Sequence, residues 1–277
     1  MKQEIDFIKF NPTQNMTVLI KTKDSVEKYK QIASKIMSYD NVYAEQVGFI
    51  EKPRNDQVEA HLQMAGGEFC GNACMALAAF IASEKGLKQN DFTEIVLEVS
   101  GSDEFITCQV KRNSEKYDCQ IAMPIPIKIE ERTIRYEGMD LNLILVRYRE
   151  FIHIVVEAEE FSEGVRQKAE SLAKVLGAML GDHLIGILLY KSKSAELAPL
   201  IYVPHLDSMV WERGCGSGTA SVGAYLAWKS KGSIAEEIRQ PGGTIKVAAN
   251  WKKEELTSLK IEGCVGIVAQ GKAFIEI

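Results

Sequence analysis

The period of the apolar positions changes several times along the chain, dividing it into short β-rich runs separated by a few helices. A strand is expected at residues 4–10, a turn at 11–15 and a second strand at 16–21, an opening that reads as a hairpin. Residues 25–37 space their apolar side chains for a helix, with Ser25 as its N-cap. Strand-like runs follow at 43–51 and 57–64. Residues 71–85 are different: they are Ala-rich and apolar almost all round, the pattern of a helix buried on every side. Strand patterning resumes at 93–99 and 104–111, turns at 112–116 and continues through 117–122. The stretch Met123-Pro124-Ile125-Pro126-Ile127 breaks it, because proline disfavours a central strand and stiffens a connection. Beyond it the pattern predicts strands at 141–148, 151–157, 186–191 and 199–203, with a helix at 162–176.

The second half then echoes the first. Cys70-Gly71-Asn72 opens the Ala-rich helix, and Cys215-Gly216-Ser217 opens another such helix 145 positions later. Phe80-Ile81-Ala82 and Tyr225-Leu226-Ala227 fall at matching distances from the two cysteines. Further on, Ser100-Gly101 and Pro241-Gly242-Gly243 mark corresponding strand-turn-strand segments. Two homologous lobes account for this repetition.

Composition narrows the possibilities. A chain of 277 residues with 46% hydrophobic and 26% charged residues is an ordinary globular protein of two domains, neither fibrous nor disordered. A net charge of −5 without a basic block argues against nucleic acid and leaves a small molecule as the expected partner. The longest apolar runs, 74–82 and 184–190, fall well short of the roughly 20 residues that span a bilayer, so no membrane partner is expected. MKQEIDFIKF carries charges of both signs and no apolar leader core, which predicts a cytoplasmic protein. In that compartment six cysteines are not a disulfide framework, and each must be judged by its neighbours.

A cysteine at a helix N-terminus sits at the positive end of the helix dipole, beside backbone amides, and such a position lowers a thiol pKa. The glycine that follows lets a carboxylate approach the amides of residues 71 and 72, or of 216 and 217. Inverting an α-carbon without a cofactor needs one group to remove the proton from one face and another to deliver a proton to the opposite face. If the two lobes face each other, one thiolate and one thiol meet that need, and the helix ends stabilise the carbanion beside the carboxylate.

At these residues the sequence resembles the diaminopimelate-epimerase-fold family of cofactor-independent, two-cysteine amino-acid racemases and epimerases. Within it the chain looks closest to the histidine racemases, including those that supply D-histidine for staphylopine-type metallophores. The resemblance runs through NPTQNMTVLI at 11–20, EQVGFIE at 45–51, EFCGNACM at 68–75, PLIYVP at 199–204, CGSGTASVGAY at 215–225, QPGG at 240–243 and GKAFIE at 271–276. It implies an α+β fold of two pseudo-symmetric lobes, each a mostly antiparallel sheet wrapped around a central helix. The lobes are expected at residues 1–124, joined by a returning C-terminal strand at 268–277, and at 125–267. It also implies a homodimer, Cys70 and Cys215 as the acid/base pair, and Gly71, Asn72, Gly216 and Ser217 around the substrate carboxylate. Asn15 matches the family's substrate-binding Asn, and Glu45 matches a glutamate suited to the substrate amino group or imidazole.

Departures from the diaminopimelate epimerases bear on the substrate. Ala73 replaces the last glycine of their first cysteine motif, and Phe151-Ile152-His153 stands where they carry Asn-Pro-His. Glu212-Arg213 stands only three and two residues ahead of Cys215, closer than their Glu-Arg pair. The reading is therefore L/D-histidine racemisation, with diaminopimelate epimerisation or another amino acid as the alternative. A non-catalytic amino-acid binder or thiol redox sensor is the competing class, and it would exchange no substrate Cα hydrogen. Cys74, Cys108, Cys119 and Cys264 read as packing residues. The histidines form no metal-spaced cluster, so no metal is expected, and the resemblance to cofactor-independent racemases implies no cofactor.

Overall fold

The computed structural model describes residues 2–22 and 24–277. The strands in chain order are β1 (Lys2–Pro12), β2 (Thr17–Lys21), β3 (Gln46–Glu51), β4 (Ala60–Met64), β5 (Phe92–Val99), β6 (Ile106–Asn113), β7 (Lys116–Ala122), β8 (Lys128–Tyr136), β9 (Met139–Arg147), β10 (Ile152–Glu157), β11 (Ile185–Lys191), β12 (Glu196–Val203), β13 (Ser208–Trp211), β14 (Ser233–Gln240), β15 (Gly243–Lys252) and β16 (Glu255–Glu276). The helices are α1 (Tyr29–Met37), α2 (Gly71–Glu84), α3 (Glu163–Leu180) and α4 (Gly216–Ser230). The chain divides into two compact units, Met1–Ala122 with Glu262–Ile277, and Met123–Ile261.

In the first unit β1 to β7 neighbour one another in sequence order, and β1 also pairs with the C-terminal part of β16. All these pairings are antiparallel except β2 with β3 and β4 with β5, which are parallel across α1 and α2. In the second unit β8 to β12 follow one another, then β14 and β15, with β13 added on β12. Its parallel pairs, β10 with β11 and β12 with β14, likewise flank α3 and α4. Each unit is thus α+β and repeats one scheme, in which an outer helix and then a cysteine-headed helix each follow a strand and lead to its parallel partner.

The cysteine-headed helices are the inner ones. Ala73, Ala76, Ala78, Ala79 and Ala82 of α2 are fully buried, and the helix packs against every strand from β1 to β7. Small side chains allow that close wrapping, and no polar face is needed because no face meets water. On α4 the residues Ala220, Val222, Ala224, Tyr225 and Ala227 are buried against β9, β10, β11, β14 and β15. The outer helices are amphipathic: α1 buries Tyr29, Ile32, Ala33 and Ile36, and α3 buries Ala169, Leu172, Ala173 and Leu176.

The structure departs from the sequence expectations in four places. Residues 25–37 begin as a 3-10 turn, Val26–Lys28, and Ser25 makes no side-chain capping bond. β8 carries Lys128, Glu130, Glu131, Arg132 and Arg135, which mask the two side chains, Ile134 and Tyr136, that it packs on the core; it lies at a sheet edge, where charge discourages pairing with another chain. The short β13 had no detectable pattern. Finally, the first unit ends at Ala122 rather than 124 and resumes at Glu262 rather than 268, because β16 runs through both units without a breaking residue.

The glycine turns seen in the sequence hold the cysteine approaches in place. Ser100 Oγ accepts from Met64 N at 2.9 Å and donates to Glu68 O at 3.0 Å, so the turn after β5 clamps the segment leading to Cys70. Gly101 beneath it has φ +72°, and a Cβ there would overlap the backbone of Glu68 and Phe69. In the second unit Gln240 Oε1 accepts from Cys215 N at 2.7 Å, and Gly242 N donates to Arg213 O at 2.7 Å. Gly101→Ala should destabilise the protein by at least about 1–3 kcal/mol in denaturant unfolding, from backbone strain alone. An unchanged midpoint would refute this account of the turn.

Candidate active site

Cys70 is the N-cap of α2, with extended backbone (φ −132°, ψ 106°) and a half-buried side chain. Gly71 and Asn72 form the first turn and are buried. Asn15 lies in the turn between β1 and β2, two strands that pack on α2. Its backbone is fully engaged, with N donating to Pro12 O at 3.0 Å and O accepting from Thr17 Oγ1 at 3.1 Å. Its side chain is completely buried, yet neither Oδ1 nor Nδ2 has a hydrogen-bond partner. Burying an unsatisfied amide costs free energy, so the position of Asn15 is not explained by packing alone. Glu45 is half-buried, and its N donates to Met16 O at 2.8 Å, which sets it beside the Asn15 turn. Four of the expected site residues on this unit therefore cluster on two features, the α2 start and the Asn15 turn, with Glu45 alongside.

In the second unit Cys215 caps α4 and is buried. Its Sγ accepts from Gly218 N at 3.2 Å and lies 3.6 Å from Ser217 Oγ. Thr219 Oγ1 donates to Cys215 O at 2.7 Å and accepts from Gln240 Nε2 at 2.8 Å, fixing the first turn from outside. The expected lowering of the thiol pKa is overturned here. Burial pushes it well above the ordinary 9.0, the Glu212 carboxylate adds to the rise, and the contacts from Ser217 and Gly218 offset only part of it. Cys215 is therefore a protonated thiol in the free protein, and the close spacing of Glu212 is no bar to its acting on the sulfur.

His153 stands in the same unit, completely buried. Its Nδ1 is 2.8 Å from Ser221 Oγ, which is 2.9 Å from Tyr148 Oη. Phe151 packs on the ring at a centroid distance of 4.9 Å, and a Cβ on Gly186 would collide with it. Burial drives its pKa from 6.5 down to about 3, with the Ser217 backbone opposing, so the imidazole is neutral. Its Nε2 has no partner. Tyr148 and Gly186 gave no sequence signal, and Ser221 and Gln240, though inside segments that carry the resemblance, had no role assigned there, because each meets Cys215 or His153 only through the fold. Among the described residues no group of three or more His, Cys, Asp or Glu side chains could hold a metal ion, and no helix is long and apolar enough to cross a membrane.

Comparison with known proteins shows the family. The model of the family described as "Histidine racemase CntK N-terminal domain" matches residues 4–274. The chain belongs to that family. It is 32% identical to a histidine racemase of Staphylococcus aureus strain Mu50, over 99% of both chains. It is 33% identical to a histidine racemase of Fusobacterium nucleatum subsp. nucleatum, over 99% of this chain and 98% of the other. Among solved structures it is similar to a hydroxyproline epimerase from Agrobacterium vitis with bound trans-4-hydroxy-L-proline, at a TM-score of 0.75 and 8% identity, over 99% of this chain and 93% of that one. At that identity the likeness speaks for the fold alone. As a member of the histidine racemase family the chain is an enzyme of the racemase and epimerase class of isomerases.

Two outcomes follow from the electrostatics of this family member's second unit. Alkylation of Cys215, followed by peptide mass spectrometry, should keep accelerating beyond pH 9.0 in the free protein, and Glu212→Gln should make it faster at neutral pH. A plateau below pH 8 would contradict the buried-thiol description. His153 should make stability acid-sensitive: between pH ~6.5 and ~3 the unfolded chain takes up a proton that the folded one refuses. Stability should therefore fall as pH drops through that window, by up to about 1.4 kcal/mol per pH unit from this group, and stay level above it. His153→Gln should flatten the slope, and an identical slope in the variant would show that another group is responsible.

Proposed function

We propose that this enzyme interconverts L- and D-histidine by a cofactor-independent two-base mechanism, with Cys70 and Cys215 as the acid/base pair. The observation that carries the reading is the recurrence, once in each unit, of a cysteine capping a helix buried in its sheet, followed by glycine and a small polar residue. Racemisation needs two proton-transfer groups acting on opposite faces of one Cα, and a thiol/thiolate pair is that set in its simplest form. In the free protein Cys215 carries its proton, which suits it to donate, and Cys70 then takes the proton from the substrate Cα. The reverse reaction exchanges the roles.

The remaining residues bind and stabilise. The amides at Gly71 and Asn72, and at Gly216 and Ser217, receive the substrate carboxylate, and the helix ends offset the charge that builds next to it as the carbanion forms. Asn15 supplies its unsatisfied amide to the amino-acid head group, and Glu45 contacts the ammonium or the imidazole. Histidine as substrate is supported by the relatives matched over their full length, which are histidine racemases. A cytoplasmic homodimer accompanies this reading, by resemblance to the family.

The test is chiral chromatography of L-histidine incubated with the reduced protein, with diaminopimelate in parallel. D-histidine should accumulate toward an equal mixture. Cys70→Ser and Cys215→Ser should each lower turnover at least about a hundredfold, the lower range for losing a general acid or base. Near-normal turnover in either variant would rule out the two-base mechanism, and faster conversion of diaminopimelate would move the chain to the epimerases.

A further inference from the structure

The turn that presents Asn15 contains a second residue whose conformation and surroundings are costly without a ligand. Thr13 has φ +52° and Gln14 φ +59°, so two successive non-glycine residues lie in the left-handed region. For a β-branched residue that is an outlier. The backbone around it is well satisfied: Thr13 N donates to Cys264 O at 3.3 Å, Gln14 N to Asn11 Oδ1 at 2.6 Å, and Asn15 N to Pro12 O at 3.0 Å. The side chains are the unsatisfied part. Thr13 is 8% exposed and its Oγ1 has no partner, and two positions on both polar atoms of fully buried Asn15 have none. Three orphaned polar atoms within three residues, on a strained backbone, are retained where something bound there completes them.

The hydroxyl lies on the α2 side of the turn. A Cβ built on Gly263 of β16 would stand 3.2 Å from Met75 Cε, in the second turn of α2, and 3.5 Å from Thr13 Oγ1. β1, which carries the turn, packs on α2 directly. Helix side chains lean toward the helix N-terminus, so a hydroxyl that shares the Gly263 face with the second-turn Met75 side chain lies toward that end of α2, where an anion is met best by a donor. We propose that Thr13 is a substrate-binding residue whose hydroxyl donates to the carboxylate of an α-amino acid bound at the N-terminal end of α2, with Asn15 as its neighbour in the same cradle. This inference rests on the racemase reading above and adds to it a residue that sets the strength of head-group binding.

The deciding comparison is Thr13→Val, which keeps the β-branch and hence the backbone strain while removing only the hydroxyl, with Thr13→Ser as the conservative control. A merely structural hydroxyl would be missed in the free protein; one reserved for substrate is a burden there. Thr13→Val should therefore raise the melting temperature of ligand-free protein by about 2–4 °C. The same variant should raise KM for L-histidine about ten- to a hundredfold, the worth of one hydrogen bond to a charged group, with a smaller effect on kcat. It should also lose most of the melting-temperature rise that saturating L-histidine gives the wild type. Thr13→Ser should recover most of the loss in KM. A Thr13→Val protein with wild-type KM, or one destabilised when free and kinetically normal, overturns the inference while leaving the racemase reading intact. Failure of the wild type to racemise L-histidine overturns that reading and this inference with it.

Discussion

A thiol held at the end of a helix that is itself buried on every side is the constraint from which the rest of this structure follows. The helix end favours a thiolate, whereas removal from water favours the thiol, and the two effects act on the same sulfur. At Cys215 burial wins, because the amide of Gly218 and the hydroxyl of Ser217 supply only two contacts while the Glu212 carboxylate adds repulsion to the loss of solvent. Placing a sulfur there at all requires an inner helix without a polar face, which is why α2 is built from alanines and why strands wrap it so closely. The turns carrying Ser100, Gly101, Gln240 and Gly242 serve the same end, since each fixes the chain just ahead of a cysteine.

The features that this constraint imposes were legible in the sequence. A run such as Gly71 to Ala82 has one physical explanation, an enclosed helix, and finding it twice with Cys-Gly at its head disclosed the repeat and pointed to the chemistry proposed for it. Features set by long-range contact were not legible. The Glu212 carboxylate looked misplaced by its spacing, yet it acts on Cys215 through space. Ser221 reads as one more small helix residue until His153 of β10 and Tyr148, just past β9, are brought to it from more than sixty positions away. β8 escaped notice because an edge strand is allowed to be charged. The mixed parentage of β16 could not be seen, since the strand contains no residue that would break it at the border between units.

Local conformation is a further layer that composition conceals. In NPTQN the Asn-Pro start announces a turn, but nothing in the letters says that Thr13 and Gln14 adopt left-handed backbone or that Thr13 and Asn15 turn their polar groups inward without partners. Unsatisfied polar atoms and strain of this kind lower stability in the free protein, and at His153 Nε2 the second unit carries a comparable burden. The proposed mechanism, which forms a carbanion beside a carboxylate, calls for polar groups that are fixed before substrate arrives, because donors already committed to the protein would have to be released at the moment of reaction.

The most direct test of the central claim, that two thiols act on one α-carbon, follows the hydrogen itself. L-Histidine is converted in heavy water by the reduced enzyme, and the two enantiomers are separated and analysed by mass spectrometry at early conversion. The account predicts that D-histidine carries deuterium at Cα while unreacted L-histidine retains its original proton, because the donor thiol has equilibrated with solvent and the acceptor thiol lies on the other face. D-histidine that retains the substrate's own proton would mean that a single base removes and returns it, and would contradict the account.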